Sequence, residues 1–173
     1  MINIQTVFDE MNLHEQIALQ FLEPIPEDRM TEQPNGLRNH PTWILGHLTA
    51  AHNAAISILT DISIRPESET ALFAIGSTPH ADPALYPDKQ TLIDNYLDIH
   101  QHYIAAVTAA SPEKLAAPSP LERHKGRFSS LAMFVLHVGT AHEAYHLGQL
   151  SAWRQATGIA PPLNTDTGNY PKN

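Results

Sequence analysis

The pentapeptide His142-Glu143-Ala144-Tyr145-His146 sets two imidazoles four residues apart. On a helix, four residues advance the chain about 6 Å and turn it through one revolution plus ~40°. Both rings then share a face and can reach one metal ion. Neutral imidazole suits zinc, nickel, iron or copper. Two nitrogens make an incomplete site, so a third ligand must come from elsewhere. His47 is the candidate. It lies in the apolar stripe Trp43-Ile44-His47-Leu48-Ala51, which turns it inward. An inward imidazole among Leu, Ile and Trp requires a polar partner. Three protein ligands leave room for water or substrate, the layout of a catalytic centre rather than a closed structural one. Each feature alone has a blander reading. A single inward histidine is more often a hydrogen-bonded core residue, and an i, i+4 pair arises by chance in a chain with 11 histidines. Their conjunction on two helices of one domain favours the metal.

His142 to His146 also spells H-E-x-x-H, the metalloprotease pattern, in which Glu143 would act as general base. That pattern needs a third ligand downstream. Gln149 and Ala152 stand where the metzincin form has Gly and His, and no glutamate follows Glu143. The protease reading is therefore the weakest alternative. His14, His40, His80, His100, His102 and His124 fall near loops or on polar faces. His52 and His137 are each five residues from a proposed ligand, about 140° around a helix. They read as surface residues or as neighbours of the site.

The rest of the composition narrows the partners. The net charge is −8, with no Lys/Arg-rich run, which argues against nucleic acid and against acidic membrane surfaces. There is no cysteine, so the site has no thiolate ligand and no cysteine nucleophile. The N-terminus lacks a basic segment followed by an apolar stretch, and no apolar run approaches a membrane span. A cytoplasmic protein is the expectation. The 173 residues suit one domain, 1–173, with 158–173 as an irregular tail.

Four blocks must position the histidines. The 14 prolines cluster, leaving long proline-free stretches, the punctuation of a few long helices joined by loops. Residues 3–22 form the first helical block, ended by Pro24 and Pro26. The second covers 41–60, with Asn39 as a cap and Pro41 in the first turn. A long connection, 61–87, leads to the third block, 88–110, capped by Asp88. After a second loop, 111–128, the fourth block runs from 129 to 157 and is stopped by Gly158. No segment shows the period-2 alternation of a strand. The fold class is all-α, a four-helix bundle with a long connection between helices 2 and 3.

Trp43-Ile44-Leu45-Gly46-His47-Leu48 and His142-Glu143-Ala144-Tyr145-His146-Leu147-Gly148-Gln149-Leu150, in that order and separation, resemble the DinB-like (DinB/YfiT) superfamily. The resemblance covers nearly the whole chain. It implies an up-down-down-up bundle, often a homodimer, with a metal triad of His47, His142 and His146. The family usually carries Arg after the last ligand; Leu147 stands there instead, so any role of that Arg is absent. Gln149 matches and could orient a ligand or a bound water. Trp43 and Glu143 are candidates for the pocket wall and for a supporting catalytic role. One divalent ion is implied, zinc or nickel first, iron or manganese next. Members of the family include thiol-dependent S-transferases or isomerases and metal-dependent hydrolases. The expected function is activation of a low-molecular-weight thiol cosubstrate, or of water, against a small-molecule substrate. The competing class is a non-catalytic metal- or ligand-binding stress protein, whose ion only ties helix 2 to helix 4.

Overall fold

Pro24 and Pro41 bracket the first break in a chain that is otherwise built from helices. The computed structural model describes residues 3–159, and every regular element in that span is helical. Helix α1 is Ile4–Leu22, and the Asn3 side chain caps it by accepting from Thr6 N–H at 3.0 Å. Helix α2 is Pro41–Thr60 and ends at Asp61 in the left-handed region. Its cap is His40, not Asn39. His40 Nδ1 accepts from Trp43 N–H at 3.1 Å, while Nε2–H donates to the His80 carbonyl at 2.9 Å. An imidazole lone pair thus does the work usually given to a short polar side chain.

The long connection is less irregular than its composition suggests. It contains α3, Glu67–Thr70, followed by single 3-10 turns at Ala71–Phe73 and Pro83–Leu85. Asn53 on α2 anchors its start: its Oδ1 accepts from the backbone N–H of Ile64 and Arg65 at 2.9 and 2.8 Å. Further on, Phe73 is buried in the core beside Trp43 and Leu45.

Helix α4 is Lys89–Ala109, capped by Asp88 as its sequence predicts. The second loop holds the short α5, Pro112–Ala116. The fourth block is not one continuous α-helix. It consists of α6, Leu131–His137, then a π-helical turn, Val138–His142, then α7, Glu143–Ala156. A π turn pairs residues five apart and re-aims the side chains that follow. Tyr103 O–H donates to the Val135 carbonyl and Thr140 O–H to the Leu136 carbonyl, each at 2.6 Å, serving carbonyls where the ladder is disturbed. Gly139 lets the turn sit close to α1 and α4, because a Cβ there would lie 2.8 Å from Met11 Sδ. Gly158, at φ +69°, ends α7 as expected.

Helix α1 packs on α7, α2 packs along α4, and α2 also touches α7 and the π turn. The core falls into two apolar halves. One gathers Ala18, Ile44, Leu48, Tyr96, Leu147 and Trp153; the other gathers Met11, Ile56, Ile99, Phe134 and Val138. Along the four long segments, the residues between these halves are polar. His14, His52, His100 and Glu143 form a buried polar layer there. Among the described residues no helix is long and apolar enough to cross a membrane. The predicted irregular tail from residue 160 onward lies outside the described residues.

Candidate metal centre

His47 sits mid-helix on α2, and its ring stacks on Trp43 one turn earlier, with centroids 4.5 Å apart and planes 8° from parallel. Its Nδ1 lies 2.7 Å from the Phe73 carbonyl. A carbonyl only accepts, so Nδ1 carries the hydrogen and Nε2 presents a lone pair. The close approach of Phe73 depends on Gly46, whose missing Cβ would overlap the Phe73 ring. Gly46→Ala is therefore expected to push this segment off α2, break the bond to His47 Nδ1 and weaken metal binding by about 10- to 100-fold, the usual cost of losing an outer partner of a ligating histidine. Titration of metal affinity against wild type checks this; an unchanged affinity would show that the Phe73 carbonyl does not orient the ring.

His142 ends the π turn and His146 lies one turn further along α7. His146 Nδ1 is 3.0 Å from Gln149 Oε1, which also accepts from Asn39 Nδ2 at 3.0 Å. With Gln149 Oε1 accepting both bonds, His146 Nδ1 is again the donor and its Nε2 is free. His47 Nε2 and His142 Nε2 are 3.2 Å apart. One ring nitrogen from each of His47, His142 and His146 lies within 4.8 Å of the other two.

All three rings are held neutral. Burial lowers the pKa of His47. Burial, with His146 and His47 adding to it, lowers His142 to about 3. Burial and His47 lower His146 to about 4. Two lone pairs, on His47 and His146, face the third ring with no hydrogen fixed between them. His142 Nδ1 is buried without a partner, so its Nε2 either donates a hydrogen to His47 or shares a cation with it, and three imidazole nitrogens are a donor set that divalent transition metals accept. The residues present thus fit the ion.

The triad stands in an open cavity of about 580 Å³, whose lining includes Trp43, Phe128, Phe134, His137 and Tyr145. Trp43 is at the wall of this cavity. Gln149 is not at the wall but behind His146. Glu143 is elsewhere. It is fully buried and does not line the cavity. Tyr96 O–H donates to its Oε1, and His14 Nδ1 lies 3.4 Å from its Oε2. Burial pushes the carboxyl up, but the close contact with His14, the neighbouring His52 and the bond from Tyr96 outweigh it and hold Glu143 below the usual value. The step of ~100° from residue 142 to 143 turns this side chain into the core. A general base must face the water it activates, so the protease reading fails at this residue.

Five of the other histidines are more buried than the sequence suggests, whereas His80 and His102 are exposed and His137 neighbours the site. His14, His40, His52, His100 and His124 are all buried. His137 and His142 line the same cavity, with ring centroids 6.0 Å apart. Five residues separate them, which is ~140° in an α-helix but one repeat of the π turn between them. Nothing in the local sequence announces that turn. Asn39, taken as a cap, supports Gln149 instead. The Phe73 carbonyl carries no side-chain signal at all.

Burial holds His40 and His52 at about 4 as well. An unfolded histidine titrates near 6.5. The fold favours the neutral form, so this contribution is complete above pH 6.5 and is lost as pH falls from there through about 4. For the fully buried His52 the difference is worth about 3 kcal/mol. His14, raised by its bond to Glu143, acts in the opposite sense and is outnumbered. Metal-free protein is expected to lose urea resistance steeply between pH 6.5 and 4; a level profile across that window would contradict it.

The geometry defines an all-helical protein with a three-histidine centre able to hold a divalent ion at the base of an open cavity. The sequence profile of the DinB superfamily matches residues 10–150, a span that includes all three histidines, and the chain belongs to that superfamily. No curated protein and no solved structure gives a significant match to it.

Proposed function

We propose that this chain is a metal-dependent enzyme acting on a small molecule, with a low-molecular-weight thiol or water as the nucleophile. The supporting observation is the convergence of three neutral imidazoles at the base of a cavity instead of inside a closed shell. His47, His142 and His146 would hold the ion, with zinc or nickel suited to three such nitrogens. A bound divalent ion supplies the Lewis acidity that lowers the pKa of a thiol or a water. The Phe73 carbonyl and Gln149 keep two of the rings in the ligating orientation. Trp43, Phe128 and Phe134 give the cavity an apolar wall that thins the water around the nucleophile. His137, kept neutral by burial and by Arg127, can accept the proton the nucleophile loses. The chain has no cysteine, so a thiol nucleophile must enter as a cosubstrate.

The test uses protein purified without a histidine tag and reloaded with zinc or nickel. Thioether formation from 1-chloro-2,4-dinitrobenzene is followed with bacillithiol, glutathione and cysteine, beside hydrolysis of a chromogenic ester. A thiol- or ester-dependent rate that disappears in His142→Ala supports the proposal. A stoichiometric ion with no rate on any of these pairs would favour a binding protein instead.

A further inference from the structure

The same cavity carries charge that the metal centre does not use. Arg123 and Arg127 both line it, and no Asp or Glu does. That is unusual in a chain with 18 acidic residues against 10 basic ones. Two other guanidinium groups are matched by carboxylates, Arg29 by Glu32 at 2.7 Å and Arg65 by Asp98 at 2.6 Å, while Arg38 donates to Ser77 and Thr78 and Arg154 lies over the Phe21 ring. Glu122, the one carboxylate in the Arg-bearing stretch 122–128, is bound by Lys125 at 2.5 Å. Among the described residues no carboxylate lies within 4.0 Å of Arg123 or Arg127.

Aromatic rings connect this charge to the triad. The Arg127 guanidinium carbon is 5.3 Å from the Phe128 ring centroid. Phe128 is 5.3 Å from His137, and His137 is 6.0 Å from His142. Arg123 and Arg127 are exposed while His47 and His146 are buried, so the cavity has a cationic rim, a flat apolar wall and a metal-binding base. Guanidinium forks match planar and tetrahedral oxyanions in two-point contacts. Held over the Phe128 ring, Arg127 loses less freedom on binding.

We propose that Arg123 and Arg127 form an anion subsite, and that the small molecule taken by this cavity carries a carboxylate or phosphate at one end of an apolar or aromatic body. The inference deepens the enzymatic reading above and rests on its placement of substrate in this cavity. The anionic end docks at the rim, the body lies on Phe128, and the other end reaches the histidines.

Fluorine NMR can read this directly with three probes: 4-fluorophenylacetate, 4-fluorophenyl phosphate and neutral 4-fluorophenylacetamide. Metal-loaded wild-type protein is expected to bind at least one acid about tenfold more tightly than the amide. The R123Q/R127Q variant should lose that preference while retaining wild-type metal content. Which acid binds more tightly separates a carboxylate substrate from a phosphate. His146→Ala distinguishes the two readings, since it should lose the metal yet keep an arginine-dependent preference for the acid. Equal binding of acid and amide, an acid preference untouched in R123Q/R127Q, or no binding of any probe would overturn the subsite. Loss of metal from wild type with the preference intact would overturn the metal centre alone.

Discussion

His142→Ala and His146→Ala are each expected to take the metal content from about one ion per chain to near zero after dialysis, with the helical fold intact. Three nitrogens within 4.8 Å of one another make a site that cannot be rebuilt from two. The nearest replacement, His137, is 6.0 Å from the His142 ring and lies on the cavity wall. The fold should survive because both side chains line the open cavity, so their loss widens it and leaves no void in either apolar half. Thermal melts give a second readout. A saturating ion at 100 times its dissociation constant stabilises the native state by about 2.7 kcal/mol, and that gain should vanish in both variants. Equal metal content in wild type and variants, with melts that ignore the added ion, would remove the centre and every reaction assigned to it.

The second large effect belongs to Glu143, and it concerns stability. Glu143→Ala should destabilise the metal-free protein by about 3–5 kcal/mol, the cost of stripping one partner from a buried ionic contact. The variant strands the Tyr96 hydroxyl and leaves His14, whose pKa the carboxylate raises, without its anion. Glu143→Gln should cost less, because its amide oxygen still accepts from Tyr96. Neither change should move metal content, since the carboxylate faces away from the cavity. Urea titration at pH 7 resolves a difference this large. A Glu143→Ala variant within about 0.5 kcal/mol of wild type, the range of ordinary surface changes, would show that the polar layer is not held by this carboxylate.

The placement of helices was legible because proline and apolar spacing act locally. The second block, read as 41–60, is α2 as observed. The pairing of His47 with His142 and His146 was legible because two constraints met: an inward polar residue on one helix and an i, i+4 pair on another. What stayed hidden was everything decided by distant neighbours. His14, His52 and His100 give no sign of burial because each is followed by a polar residue, and their partners lie on other helices. Glu143 looked like a site residue because it adjoins one, yet a single step of ~100° around the helix turns it away from the cavity into the core. The π turn that brings His137 beside His142 depends on packing against Met11 and Tyr103. No local propensity encodes that. Arg123 and Arg127 sat in a proline-rich loop with nothing to mark them as cavity residues.

The buried polar layer has one more consequence, for alignment. Apolar helix faces tolerate sliding, since one aliphatic contact resembles another. Here a slip of one turn, about 5.4 Å, would carry the Glu143 carboxylate off Tyr96 and His14 and press it against Leu and Ile. The same slip would part α2 from α7 by more than a coordination bond can span. A clasp of hydrogen bonds on one side of the helices thereby sets the register in which the imidazoles on the other side meet.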